Sequence, residues 1–267
     1  MTTRSLKPKN STGPKRVTRP RVSTPVPGRS GLFNDPVRTG KYSHPPKQAR
    51  SRKSFDRVLA VATELLEKHG FNGFSIVDVS RRSKISIGSI YGRVTGKDDL
   101  VRSVQERVLN NADREHDAFL QNLDHEGMTL RELFPLAVQY HADFLARHAA
   151  IFHAFISRAS NDPVLRARGK RSHAYFTSGL CKLLLRHRQE ITHPDPDRAV
   201  LACTRLMWSS FGSFLGIESD ESAGEGDWQE LIEDVTQMGL FYLLLKDRRI
   251  FESSAEIKNL VRASVNS

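Results

Sequence analysis

Residues 83–100 read SKISIGSIYGRVTGKDDL. Three glycines and several β-branched residues make this poor material for one long helix, because both types cost more than alanine in a helix interior. The pattern on either side is strongly helical. Before it, Phe55, Val58, Leu59, Ala62, Leu65, Leu66 and His69 recur at intervals of three and four, which puts them on one face. Ser54 is placed to cap that helix and Gly70 to end it. After it, Val101, Val104, Val108, Ala112, Phe119 and Leu123 form a stripe along a helix expected from Lys97 to Leu123. Between them the spacing predicts two short helices, Ser75 to Ser83 and Ile87 to Val94, joined by a tight turn at Lys84, Ile85 and Ser86.

Two short helices with a tight turn, the second made of small polar residues, describe a helix-turn-helix. A recognition helix must enter a major groove about 12 Å wide, so its exposed face needs short side chains. ISIGSIYGR meets that demand. Gly88 admits phosphate or base close to the main chain, Ser86 and Ser89 can reach phosphates or base edges, and Arg93 has the fork that suits guanine or phosphate. Ile85 and Ile90 are expected to point inward and pin the helix to its bundle.

VLAVATELLEKHG, followed by SIVDVSRRSKISIGSIYGRVTGKDDL, carries a wider likeness. With Gly70, Asp78, Ser86, Gly88, Tyr91, Lys97 and Leu100 at the matching mutual spacings, residues 57–100 resemble the DNA-binding domain of TetR-type transcriptional regulators. The resemblance implies that Tyr91 and Lys97 contact backbone phosphates and that Ser86, Ile87, Ser89 and Arg93 lie towards the groove. It also implies an all-α protein. A three-helix DNA-binding bundle over residues 51–97 would precede a larger helical domain, 98–267, that binds a small-molecule effector and dimerises. Lys84 stands where the family has glycine. It is therefore expected either to hold a left-handed turn at a cost of about 1 kcal/mol or to add a cation beside the phosphates. Ser80 and Ser83 replace alanines, and Val94 replaces a phenylalanine.

The net charge of +11 is unevenly spread. Residues 1–53 carry fourteen Lys and Arg against Asp35 alone, whereas residues 54–99 balance at +1 and residues 100–267 at −3. Residues 1–50 also hold eight of the twelve prolines and few large apolar side chains, a composition expected to stay disordered. This tail reads either as a solubilising extension or as an arm that contacts DNA. The start lacks the apolar core of a secretory signal, and the longest apolar run, MGLFYLLL from Met238, is too short to span a bilayer. Cys181 and Cys203 have no C-x-x-C spacing. A cytoplasmic protein without membrane attachment is the expectation.

Downstream, Thr129 and Glu132 have the spacing of a capping box, and Pro135 should kink or restart the helix that follows. Asp162–Pro163 and Asp195–Pro196 each place a capping Asp before a proline suited to the first helical position. A last helix is expected from Asp227. That helix and the one from Ala199 are apolar on more than one face, which calls for a second subunit. Met207, Phe211, Phe214, Val235, Met238 and Tyr242 are the candidates for a homodimer interface, with Ser210, Gly212 and Ser213 allowing close approach. Phe134, Tyr140, His141, Phe144, Phe152, Phe155, Phe176 and Trp208 could line an effector pocket or fill the core.

The histidines show no ligand spacing, so no metal and no cofactor is expected. No G-x-S-x-G, H-E-x-x-H or phosphate-binding glycine loop points to an enzyme. The expected partners are double-stranded DNA with a pseudo-palindromic operator and a small effector that releases a repressor from it. A non-specific DNA-binding or scaffold protein acting through its basic tail is the alternative.

Overall fold

The computed structural model describes residues 49–123, 127–219, 224 and 226–245. The basic, proline-rich tail, part of the acidic linker before Asp227 and the final residues lie outside them. Eight helices and no strand form among the described residues: α1 (Ala49–His69), α2 (Ile76–Ser83), α3 (Ile87–Tyr91), α4 (Lys97–Asn122), α5 (Leu130–Ala159), α6 (Pro163–Leu185), α7 (Pro196–Phe214) and α8 (Trp228–Leu244). The protein is all-α, as its periodicity predicts.

Helix α1 starts five residues before Ser54, which lies inside the helix and not at its N-cap position. It ends where Gly70 takes φ 64°, a conformation that lets the chain leave the helix without a Cβ clash. Ser75 opens α2 with a capping box: its hydroxyl accepts from the Asp78 amide at 3.2 Å, and the Asp78 carboxylate accepts from the Ser75 amide at 2.9 Å. Lys84 closes α2 at φ 57°, the left-handed conformation. Helix α3 stops at Tyr91, short of the expected Val94, as the chain bends through Gly92 and buries Val94 beside Ile90. Helix α1 packs on α4, α2 on α1 and α3 on α2, with Val58, Leu59, Leu66, Val79, Ile90 and Leu100 in the buried core.

Helices α5 to α8 are begun by side-chain caps, while α4 starts after Gly96 without one. The Thr129 amide donates to Glu132 at 2.8 Å, Asp162 accepts from Val164 and Leu165, Asp195 from Arg198, and Asp227 from Gln229 and Glu230. Pro135 does not restart α5, which runs unbroken for 30 residues. Leu133, Phe134, Ala137 and Val138 on both sides of the proline are fully buried, so packing holds the two turns together across the missing amide. Helix α6 lies among α4, α5 and α7, while α8 closes over α5 and α7. That closure is tight, since a Cβ on Gly239 would come within 2.4 Å of the Phe134 ring.

The core joining α4, α5 and α6 is a column of rings. Phe119 stacks on Tyr140 with centroids 3.5 Å apart, and His116 on Phe176 at 3.9 Å. His141 is 1% exposed, with its ring 4.9 Å from Phe176. Burial pushes His116 down to about 4 and His141 down to about 3, with neighbouring His173 and His116 adding to the shift of His141. Both rings bind fewer protons folded than unfolded. Their contribution is therefore complete above the ordinary histidine value of 6.5 and is lost as pH falls from there towards 4. Each ring contributes a slope of at most about 1.4 kcal/mol per pH unit. Thermal unfolding from pH 7 to pH 4 should show this loss, and a His141→Phe variant should show a shallower one.

Candidate nucleic-acid interface and apolar cavity

The turn between α2 and α3 presents a small, polar, exposed surface. Lys84, Ser86, Ile87, Gly88, Ser89 and Tyr91 are all exposed, Tyr91 to 52%, while Ile90 faces inward at 0%. A Cβ on Gly88 would meet nothing within 4 Å, so the main chain is open to a close approach there. Ser86 has a structural task as well. Its hydroxyl caps α3 by accepting from the Ser89 amide at 3.2 Å and lies 2.8 Å from the Ser89 hydroxyl. Exposed Arg81, on the last turn of α2, adds a cation that the periodicity does not single out.

Two of the expected DNA contacts are placed elsewhere. Arg93 is only 8% exposed, donates to the Ser51 hydroxyl and lies 5.1 Å from the Phe55 ring centroid. Burial lowers its pKa, and Asp56 partly restores it. It ties the first turn of α1 to the segment that follows α3. Arg52 and Lys53, exposed on that turn, are thereby held near α3. Lys97 is half-buried, and its ammonium donates to the Phe74 carbonyl. It lies over the rings of Phe71 (4.6 Å) and Phe74 (4.4 Å). Burial lowers its pKa, against the pull of Asp98. The physical reason is shared: the α1–α2 loop and the start of α1 supply aromatic faces and oxygens that attract the nearest cations.

Further along, α4, α5 and α6 enclose an apolar cavity of about 300 Å³ that opens to solvent. Phe144, Phe152, Phe155, Phe176 and Trp208 line it. Phe134, Tyr140 and His141, from the same candidate set, lie outside its lining; Phe134 packs under α8, and Tyr140 and His141 belong to the ring column. The lining also takes in Gln105, Leu109, Leu165, Gly169, Lys170 and His173. Sequence reasoning misses these because it searches for aromatic rings, and neither Gln105 nor Gly169 carries a periodic signal.

Residues 58–104 match the family model of bacterial regulatory proteins, tetR family. The matched stretch runs from within α1 through the start of α4, so the likeness to this family lies in the N-terminal helices. The described residues share the fold of TetR-family regulators of known structure. A protein described as a TetR-family transcriptional regulator from Mesorhizobium loti MAFF303099 superposes with a TM-score of 0.61 at 15% identity, over 72% of this chain and 98% of that one. Salmonella enterica GusR gives 0.55 at 14% identity, over 74% and 99%. The Bacillus subtilis transcriptional regulator FadR, in complex with stearoyl-CoA, gives 0.51 at 14%, over 72% and 99%. At such identities the likeness is one of fold. No curated protein matches the sequence significantly.

On this TetR fold the residues expected at a dimer interface divide in two. Met207, Phe211, Phe214 and Val235 are buried within the subunit, and Tyr242 is half-buried. Met238, exposed to 53%, lies on the outer face of α8 with Phe241, exposed to 63%. Leu206 is also exposed, with Ser209 and Ser213 following it on α7. The split arises because a helix apolar all round turns one side to its own core and leaves the other open.

The two kinds of residue should separate in solution. Tyr91→Phe should weaken binding to a mixed-sequence 30-base-pair duplex roughly 2- to 10-fold with thermal stability unchanged, the effect of one lost hydroxyl hydrogen bond. Arg93→Gln should instead lower the melting temperature and leave the salt dependence of binding intact. A salt slope reduced by about 1 would make Arg93 a phosphate contact.

Proposed function

We propose that this chain is a homodimeric DNA-binding transcriptional regulator, a repressor that reads a pseudo-palindromic operator and leaves it when a small molecule fills the cavity. In this reading residues 51–97 are the DNA-binding head and residues 98–267 the effector-binding and dimerisation body, with residues 1–50 a basic tail. Lys84, Ser86, Ile87, Gly88, Ser89 and Tyr91 face the duplex, and Arg93 and Lys97 act from behind as positioning residues. A partner of this kind puts the protein in the bacterial cytoplasm. The matches are to transcriptional regulators rather than to enzymes, and no helix among the described residues is long and apolar enough to cross a membrane.

One observation carries the reading: the first turn of α4 is fastened to the head and to two cavity walls at once. Lys97 is held by the α1–α2 loop. Next to it, Asp98 pairs with Arg158 at 2.7 Å, and Asp99 with Arg102 at 3.0 Å. Arg102 reaches on to Asp162 at 2.9 Å. Arg158 sits between cavity residues Ile156 and Ala159 on α5, and Asp162 caps α6 just before cavity residue Leu165. A ligand that shifts the end of α5 or the start of α6 therefore pulls on the element that carries the head. It changes DNA affinity only by as much as it favours one head separation over another.

Selection of binding sites from a random duplex pool by the full chain, followed by fluorescence anisotropy across a salt series, tests the proposal. The expected winner is pseudo-palindromic, with half-sites about 34–36 Å apart, bound at least about 10³-fold more tightly than its scramble. Equal, steeply salt-dependent binding of both would overturn operator reading and leave a non-specific binder acting through its tail. For the dimer, Phe241→Glu places a charge on the open face of α8. Light scattering should then report a monomer with unchanged helical content. A dimer that persists would move the interface off α8.

A further inference from the structure

The cavity is walled by carbon, and nearly every charge on its border is already engaged. Asp113 accepts from Arg168 at 3.0 Å and from Ser172. Arg166 donates to the carbonyls of Ala159 at 2.9 Å and Ser160 at 2.6 Å. Lys170 stands at the exposed rim. An ionised ligand group taken deep into this space would lose its water without gaining a counter-charge, which is strongly unfavourable.

Two lining residues keep a buried polar atom without a partner, His173 at Nδ1 and Gln105 at Oε1, and the Gln105 amide is the one whose orientation is fixed. Gln105 projects from α4 and is 2% exposed. Its Nε2 donates to the Leu165 carbonyl at 3.0 Å. That bond fixes which way the amide faces, because the flipped oxygen would meet a carbonyl oxygen. Oε1 is left buried without a partner. A buried acceptor in this state is costly, and the cost is removed by a donor brought in from outside. Around it the walls are flat rings: Phe144 lies 5.4 Å from Phe176 and 5.8 Å from Phe152 between centroids, and His173 lies 4.5 Å from Trp208. Such walls suit a planar apolar body.

We infer that the cavity takes a small, uncharged, largely aromatic molecule whose single hydrogen-bond donor is accepted by Gln105 Oε1. The inference rests on the proposed reading of the cavity as an effector site and names the chemical class of its ligand. Specificity follows from the same geometry. An analogue that keeps the ring but lacks the donor leaves Oε1 unpaired, and sites built on a buried polar group discriminate most strongly against that loss. Gln105 lies on α4, as do the lining residues Leu109 and Ala112, so occupancy of the cavity is felt on the helix that carries the head.

Isothermal titration of the full chain with three probes of one shape tests this: 4-butylphenol, its methyl ether and 4-butylbenzoate. The phenol is expected to bind about 10-fold more tightly than the ether, one hydrogen bond's worth, and the benzoate more weakly than the phenol. Gln105→Leu, which keeps the volume and removes the acceptor, should bring the phenol and ether to equal affinity. If that variant fails to fold, the wild-type ratio of phenol to ether still decides. Equal affinity for phenol and ether in the wild type would overturn the inference while leaving the cavity a binding site. A preference for the benzoate that Lys170→Gln abolishes would overturn it in favour of an anion held at the rim. No binding of any probe would overturn the effector-site reading itself, and the inference with it.

Discussion

The ammonium of Lys97 rests on Phe71 and Phe74 and donates to a backbone carbonyl between the first two helices. Helices α2 and α3 span only 8 and 5 residues, and helices of this length are marginal without tertiary contacts. What holds them to the rest of the molecule is α1, which packs on α4 and α5, together with this cation seated on two rings. Arg158 lies over the same Phe71 ring at 4.1 Å from the far end of α5. One aromatic side chain thus receives a cation from α4 and another from α5. The arrangement is compact enough that a displacement of either helix must be accommodated at the joint.

That joint explains an apparent misuse of charge. Arg93 and Lys97 are the residues a reader would spend on DNA, yet both are turned inward. A cation near an aromatic face and a free carbonyl, shielded from solvent, gains more than one left in water, where the field of a phosphate is screened. The exposed surface keeps small and uncharged groups instead: Ser86, Gly88, Ser89 and the Tyr91 hydroxyl. Such a surface approaches a duplex closely. The exposed positive charge beside it comes from Arg81, Lys84 and, at the start of α1, Arg52 and Lys53.

The body of the molecule meets a different constraint. Its helices are more apolar than one core can use, and the surplus appears in two places. Along α4, α5 and α6 it lines a cavity that the side chains do not fill. On α7 and α8 it surfaces as Leu206, Met238 and Phe241. Close packing elsewhere, as where Gly239 admits the Phe134 ring, makes the unfilled space notable.

Much of this was legible in the sequence because it is local. Helical periodicity, the capping box at Thr129, the Asp-Pro starts of α6 and α7 and the left-handed turn that was one of two readings of Lys84 each depend on residues within a few positions of one another. Five of the rings proposed for a pocket do line the cavity, since an aromatic on the inner face of a bundle has few other places to go. The continuity of α5 through Pro135 was not legible, because burial of its neighbours outweighs a missing amide only once the other helices are in place. Nor was the fate of Arg93, Lys97 and Gln105. Their partners are Ser51, Phe74 and Leu165, 42, 23 and 60 residues away. Sequence alone determined which segments are helical and which stretch is small and polar enough to meet DNA. Only the tertiary structure decided which cations remain free to do so and where the apolar surplus collects, because both depend on which distant groups share the same low-dielectric space.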